Sequence, residues 1–131
     1  MNPVQNLYSA LGQIIYGIAG ANHPIQQDEN DLLQKIIRSE MSKYKRRTGV
    51  DIILESGKRE CKNIEKDYEH AINDMREYGH ALNAEMKAVF TSIVKKVAAV
   101  FPPVTIERQN IADRFIRDIN AIKSNHKPVP H

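Results

Sequence analysis

The sequence has little of what most enzyme chemistries need. Its 131 residues include one cysteine and no tryptophan, so no disulfide can form within the chain, and a reducing compartment is the simplest setting. No Gly-rich phosphate loop occurs, and no context suggests a Ser/His/Asp or Cys/His arrangement. These absences disfavour an enzyme. A hydrolytic or metal-dependent enzyme would need at least three ligands brought together only by folding.

Long apolar runs are missing as well. No segment reaches the roughly 18 apolar residues of a membrane span. Residues 7–21 are largely apolar, but Gln13 and Tyr16 interrupt them and no basic residues precede them, unlike a secretory leader. We therefore expect a soluble, cytoplasmic protein with no membrane contact.

Basic residues are absent from the first quarter of the chain. Residues 1–34 contain no Lys or Arg, whereas residues 35–66 contain ten basic and five acidic side chains. The densest group, Lys43-Tyr44-Lys45-Arg46-Arg47, could contact phosphates of a nucleic acid. Cations also favour the last turn of a helix, where they meet its negative dipole end. We prefer this second interpretation, because no second basic stripe is evident in the sequence.

The apolar residues recur at helical spacing in every long segment, and no segment alternates as a strand does. The pattern predicts helices over about 4–21, from 27 or 28 onward, from 58 onward, over 84–101 and over 105–123. A short helix is favoured for 50–54. Gly79 and Asn83 favour a break, since glycine suits a helix end and asparagine an N-cap. The alternative is one unbroken helix through Gly79, because Leu82 and Met86 continue the apolar periodicity.

These helices predict an all-α fold, a single-domain helical bundle of about five to seven helices. The domain spans residues 1–123, and residues 124–131 form a frayed C-terminal tail. The single cysteine, Cys61, occupies an apolar position of a helix and is expected to be a small buried side chain. The core is expected to include these residues of the first two helices: Leu7, Leu11, Ile14, Ile15, Ile18, Leu32, Leu33, Ile36, Ile37 and Met41.

A weak internal repeat accompanies this pattern, at an offset of 79 residues with no gap. Each copy reads as a long helix, a proline-containing turn and a second amphipathic helix, which predicts two pseudo-repeated helical hairpins facing each other across one core. The matched positions include Ile14, Ile15, Ile18 and Ala19 with Ile93, Val94, Val97 and Ala98, and Pro24 with Pro103.

The stretch from Ala19 to Glu29, AGANHPIQQDE, followed by an amphipathic helix, resembles the TerB-like family. That family includes tellurite-resistance proteins and relatives in the N-terminal region of DjlA-type co-chaperones. Ile25 and Glu29 match its apolar anchor and its helix-opening glutamate, but Asn22-His23 replaces its Asp-Gly. The resemblance can cover residues 4–123. It implies two helical halves, an association with stress or tellurite resistance, and metal binding at the acidic loop.

Asn22, Asp28 and Glu29 are accordingly the candidate metal ligands. Oxygen donors at the end of one helix and the start of the next suit a hard divalent cation such as calcium. The alternative is structural: Asp28 and Glu29 complement the helix dipole, and Asn22 supplies turn geometry. We prefer the structural alternative.

Taken together, the residues and the resemblance favour a non-catalytic binding module. It would act through a protein partner and possess at most a weak site for a divalent metal. A nucleic-acid-associated domain using the basic cluster Lys43–Arg47 is the alternative function. The sequence does not distinguish a homo-oligomer from a monomer.

Overall fold

The computed structural model describes residues 2–20, 24–43, 47–57, 64–101 and 106–122, with 47–48 and 106–109 described by their backbone alone. All of the regular structure in these ranges is helical, which confirms the predicted all-α fold. Cys61 and the predicted tail lie outside them. The helices are α1 (Pro3–Ala19), α2 (Gln27–Ser42), α3 (Arg47–Ser56), α4 (Ile64–Glu77), α5 (Ala84–Val100) and α6 (Ile106–Ala121).

Polar caps define two of the helix starts. The Asn2 side chain accepts a hydrogen bond from the Gln5 backbone N–H at 2.8 Å, and the Gln5 side chain accepts one from the Asn2 N–H at 3.0 Å. This reciprocal pair is a capping box. Asn83 accepts from the Met86 N–H at 2.8 Å and caps α5. The predicted break is confirmed, because α4 ends at Glu77 and a single 3₁₀ turn, Gly79–Ala81, separates it from α5.

Helix α1 lies at the centre of the core. It packs mainly on α3 and α4 and also contacts α5. Its predicted apolar stripe, from Leu7 to Ile18, is almost completely buried. Each such side chain stabilises the fold by about 1.5–3 kcal/mol relative to an exposed one. The helix contains no charged residue, as expected of a helix surrounded by neighbours.

Gly12 allows α1 and α3 to approach closely. A Cβ at this position would lie 2.4 Å from the Ile53 carbonyl oxygen of α3, so no side chain fits without moving one backbone. Beside it, the Ser56 hydroxyl donates to the Ser9 hydroxyl at 2.9 Å. The close approach of the α3 backbone therefore explains why α1 has a glycine at position 12.

The prediction that Leu32 belongs to the buried face of α2 was wrong. Leu33, Ile37 and Met41 are buried as expected, but Leu32 is 39% exposed and Ile36 is only partly buried. Leu32 lies about 100° around the helix from Leu33, which takes it out of the contact with α3 and α5. The side of α2 that faces the protein includes Glu40 instead, a residue only 3% exposed.

The two predicted hairpins pack differently. Helices α5 and α6 lie against each other, whereas α1 makes only slight contact with α2 over the described residues. Helix α2 packs on α5 and α3 instead. The repeat at an offset of 79 residues stays a prediction, because this packing does not establish a rotation relating the halves.

No helix in the described ranges is long and apolar enough to cross a membrane.

Candidate functional site

The predicted acidic loop leads into the first turn of α2. Asp28 and Glu29 both lie in that turn, whereas Asn22 lies outside the described residues. The Glu29 carboxylate accepts a hydrogen bond from the Gln26 backbone N–H at 2.9 Å. This is the contact by which a third-position glutamate satisfies the backbone at a helix start. Glu29 therefore has a structural role, whatever else it does.

A metal centre needs several ligands in one place. Among the residues that the structure describes, no three His, Cys, Asp or Glu side chains are grouped so that they could hold a metal ion. Asp28 and Glu29 supply two carboxylates at one helix end, and hard cations usually take six or more oxygen ligands. The calcium-type site at Asn22, Asp28 and Glu29 stays a prediction, since one of its ligands is not described.

An apolar side chain lies among the carboxylates of this helix end. Asp28, Asp31 and Leu32 are all exposed, and we call these three residues the acidic end of α2. The Gln27 side-chain amide donates to the Asp31 carboxylate at 2.9 Å. The charged side chains of residues 27–34 are all acidic, and the first basic one, the exposed Lys35, lies one helical turn beyond Asp31.

The other end of α2 contains a buried carboxylate that the sequence analysis did not single out. The Glu40 side chain is 4% exposed, and its Oε2 accepts from the Lys43 ammonium at 2.6 Å and from the Lys96 ammonium of α5 at 2.9 Å. Its Oε1 accepts from the Ser92 hydroxyl. Three donors, one directly after α2 and two from α5, thus satisfy one carboxylate, and we call these four residues the Glu40 network.

The network keeps Glu40 ionised. Burial by itself raises the pKa of this carboxyl, but the hydrogen bonds from Lys43, Ser92 and Lys96 outweigh burial and lower the pKa to about 2. The carboxylate therefore stays charged at any ordinary pH. The Lys43 and Lys96 side chains that contact it are themselves about half exposed.

A second polar network joins α4 to α6. The Tyr68 hydroxyl donates to the Asp118 carboxylate at 2.6 Å, and the Arg114 guanidinium lies 4.7 Å from the Tyr68 ring centroid. Arg114 also forms ion pairs with Glu65 and Glu69. Burial first, and then the Asp118 carboxylate, raise the pKa of Tyr68. The Tyr68 hydroxyl thus stays protonated and links α4 to α6. A tyrosine in this state is a poor general base.

The structure describes only part of the predicted basic cluster. Lys43 is described, but residues 44–46 and the Arg47 side chain are not. The structure adds a contribution that the sequence analysis missed, because Lys95 and Lys96 come from α5, which packs against α2. The sequence does show two adjacent lysines near the end of an apolar helix. Only the packing of α5 on α2 shows that they belong with Lys43.

Comparison with known proteins identifies no relative. No protein-family model matches the chain, and neither a curated protein nor a solved structure matches it.

Proposed function

We propose that this chain is a non-catalytic helical binding module that contacts a protein partner through the acidic end of α2. The observation that supports this proposal most directly is Leu32, 39% exposed beside the carboxylates of Asp28 and Asp31. An exposed apolar side chain beside two carboxylates suits a partner segment that presents an apolar side chain together with basic residues.

The partner's chemistry follows from this surface. A cationic amphipathic segment would place an apolar side chain on Leu32 and lysine or arginine against Asp28 and Asp31. Such rim charges act mainly on the rate of association and on specificity, whereas the apolar contact holds the complex. Membership of the TerB-like family, and with it a role in stress or tellurite resistance, belongs to this proposal as what the sequence resemblance implies.

A non-catalytic role fits the ionisable groups inside the fold. Glu40 is held by three donors, and Asp118 accepts from Tyr68 and lies 3.9 Å from the Arg76 guanidinium. Groups so fully partnered stabilise helix contacts and have little capacity left to exchange protons with a substrate.

Site-specific photo-crosslinking tests the proposal. A photoreactive amino acid at position 32 is expected to form one discrete adduct with a cellular protein, and the same amino acid at the exposed Asp113 of α6 is the matched control. Adding Asp28→Lys and Asp31→Lys to the position-32 variant should remove the adduct. No adduct at position 32, or the same adducts at both positions, would refute the proposal.

Weak divalent metal binding at Asn22, Asp28 and Glu29 is a secondary part of the proposal. Two carboxylates and one amide oxygen near a helix start are too few to hold calcium tightly. Calorimetric titration with calcium, magnesium, manganese and zinc should show weak heats that Glu29→Ala removes. If none of the metals gives heat, the metal site is eliminated and the protein-binding proposal stands or falls by the crosslinks alone.

A further inference from the structure

The exposed charges of α2 follow a simple order along the helix. Four charged residues of this helix are exposed, two acidic ones first and two basic ones after them: Asp28, Asp31, Lys35 and Arg38. At 100° per residue, these four residues and the exposed Leu32 lie within a sector of about 120°. We call the five residues the outer α2 stripe. It begins with the acidic end of α2 and continues with two cations.

The helix dipole explains only part of this order. Asp28 lies in the first turn, where a negative charge is favourable, but Lys35 and Arg38 precede the last turn, where the dipole would favour cations. The charges do not neutralise one another either. The Asp31 carboxylate accepts from Gln27. The side chains of Asp28, Lys35 and Arg38 form no hydrogen bond or ion pair with any residue that the structure describes.

The order of charges is symmetric about one position. Asp31 and Lys35 lie two residues before and after Leu33, and Asp28 and Arg38 lie five residues before and after it. Two antiparallel copies of α2 with position 33 at the same level would therefore place Asp31 level with Lys35 of the other copy. They would also place Asp28 level with Arg38 of the other copy. Two-fold symmetry repeats each match, so the outer α2 stripe is complementary to itself.

The exposed leucine lies near the centre of this arrangement. Leu32 is one residue from position 33, so the two copies of Leu32 would be separated by only about 3 Å along the helix axes. The two-fold axis places both on the same side of the contact. Each leucine, 39% exposed in the single chain, would lose apolar surface to the other, and opposite charges would surround the pair.

We propose that the outer α2 stripe binds the same stripe of a second copy of this chain, in an antiparallel two-fold dimer. This inference rests on the proposed function and names its partner, because the second copy supplies the apolar side chain and the basic residues that the acidic end of α2 suits. One leucine pair and exposed ion pairs make a small contact. The dimer is therefore weak, and it dissociates on dilution and at high salt.

A purely cationic partner fits the whole stripe less well. Basic residues match Asp28 and Asp31, but a basic segment that extends past Leu32 meets Lys35 and Arg38 with like charge. Juxtaposed like charges disfavour a complex. A second copy of α2 avoids this repulsion along the full length of the stripe.

Sedimentation equilibrium of the full chain tests the inference. At low salt the native chain should show a monomer–dimer equilibrium between about 10 µM and 1 mM, the range of a small contact. Asp28→Lys/Asp31→Lys makes all four exposed charges of α2 positive, and Lys35→Glu/Arg38→Glu makes them all negative. Each variant alone should have an association constant at least about tenfold lower, because like charges then meet. An equimolar mixture of the two should form a dimer again.

The matched control is Asp51→Lys/Asp113→Lys, which reverses two exposed acidic residues of α3 and α6. It changes the net charge as much as Asp28→Lys/Asp31→Lys does and should dimerise like the native chain. Equal weakening in the control would overturn the inference, as would a mixture that forms no dimer. Leu32→Ala, a single exposed change, should also weaken the native dimer, and it tests the inference even if a charge-reversed variant fails to fold.

Photo-crosslinking from position 32 separates this inference from the proposed function. The purified chain should give an adduct of twice its own mass. If the purified chain gives none and stays monomeric up to about 1 mM, while a different protein is crosslinked in cells, the dimer is refuted and the proposed function stands. If no adduct forms in either setting, both are refuted.

Discussion

Negative charge is stabilised by different groups at the two ends of helix α2. At its start, Asp28 and Glu29 lie near water, where the backbone N–H groups and the helix dipole compensate them. Near its end, Glu40 is buried and is compensated by Lys43 and by two side chains of α5. A carboxylate in a first helical turn is thus well explained without a ligand. The buried carboxylate, by contrast, links α2 to Ser92 and Lys96 of α5.

Removing the cations of the Glu40 network should have the largest effect. Lys43→Met/Lys96→Met leaves a buried carboxylate with only the Ser92 hydroxyl, and we expect a loss of about 3–5 kcal/mol in the free energy of unfolding. Urea denaturation measures it. Adding Glu40→Met should restore most of the loss, because no buried charge then remains. A triple variant as unstable as the double variant would contradict this account.

The pH dependence of stability should report the same network. The pKa of Glu40 is about 2 in the folded protein and about 4.3 in an unfolded chain. The stabilisation that results is therefore fully present above about pH 5 and is lost as the pH falls through the folded pKa. We expect the stability difference between the native chain and Glu40→Gln to shrink by about 3 kcal/mol between pH 6 and pH 2. A difference independent of pH would exclude the lowered pKa.

The start of α2 should be less sensitive. Glu29→Ala removes the acceptor for the Gln26 N–H and should cost about 1 kcal/mol. Asn83→Ala, which removes the cap of α5, is the comparison and should cost about as much. Thermal unfolding followed by circular dichroism measures both. A cost for Glu29→Ala several times that of Asn83→Ala would show that Glu29 holds more than a helix start.

The smallest effect on stability is expected at the acidic end of α2. Asp28→Asn and Leu32→Ala alter exposed side chains, so each should change the free energy of unfolding by no more than about 0.5 kcal/mol. Partner crosslinking from a photoreactive amino acid at position 32 should nevertheless decrease when Asp28→Asn is added. A large loss of stability in Leu32→Ala would mean that this side chain belongs to the core after all.

The helices and most of the core could be predicted from the sequence because periodicity reports burial directly. The stripe from Leu7 to Ile18 has a single buried face, and Asn83 carries its capping signal locally. Leu32 was misplaced because α2 has apolar residues on two sides, and only its neighbours decide which side is buried. Glu40 was overlooked because a glutamate on a charged helix looks solvated until Ser92 and Lys96, more than fifty positions later, are placed beside it.

The most direct test of the account is an NMR titration of the native chain with a lysine- and leucine-rich amphipathic peptide. The peptide should shift the backbone amide signals around Asp28, Asp31 and Leu32 and leave those of Lys95 and Lys96 in place. If the peptide shifts no signals at the acidic end of α2, or shifts those of Lys95 and Lys96 equally, the proposed binding site is contradicted.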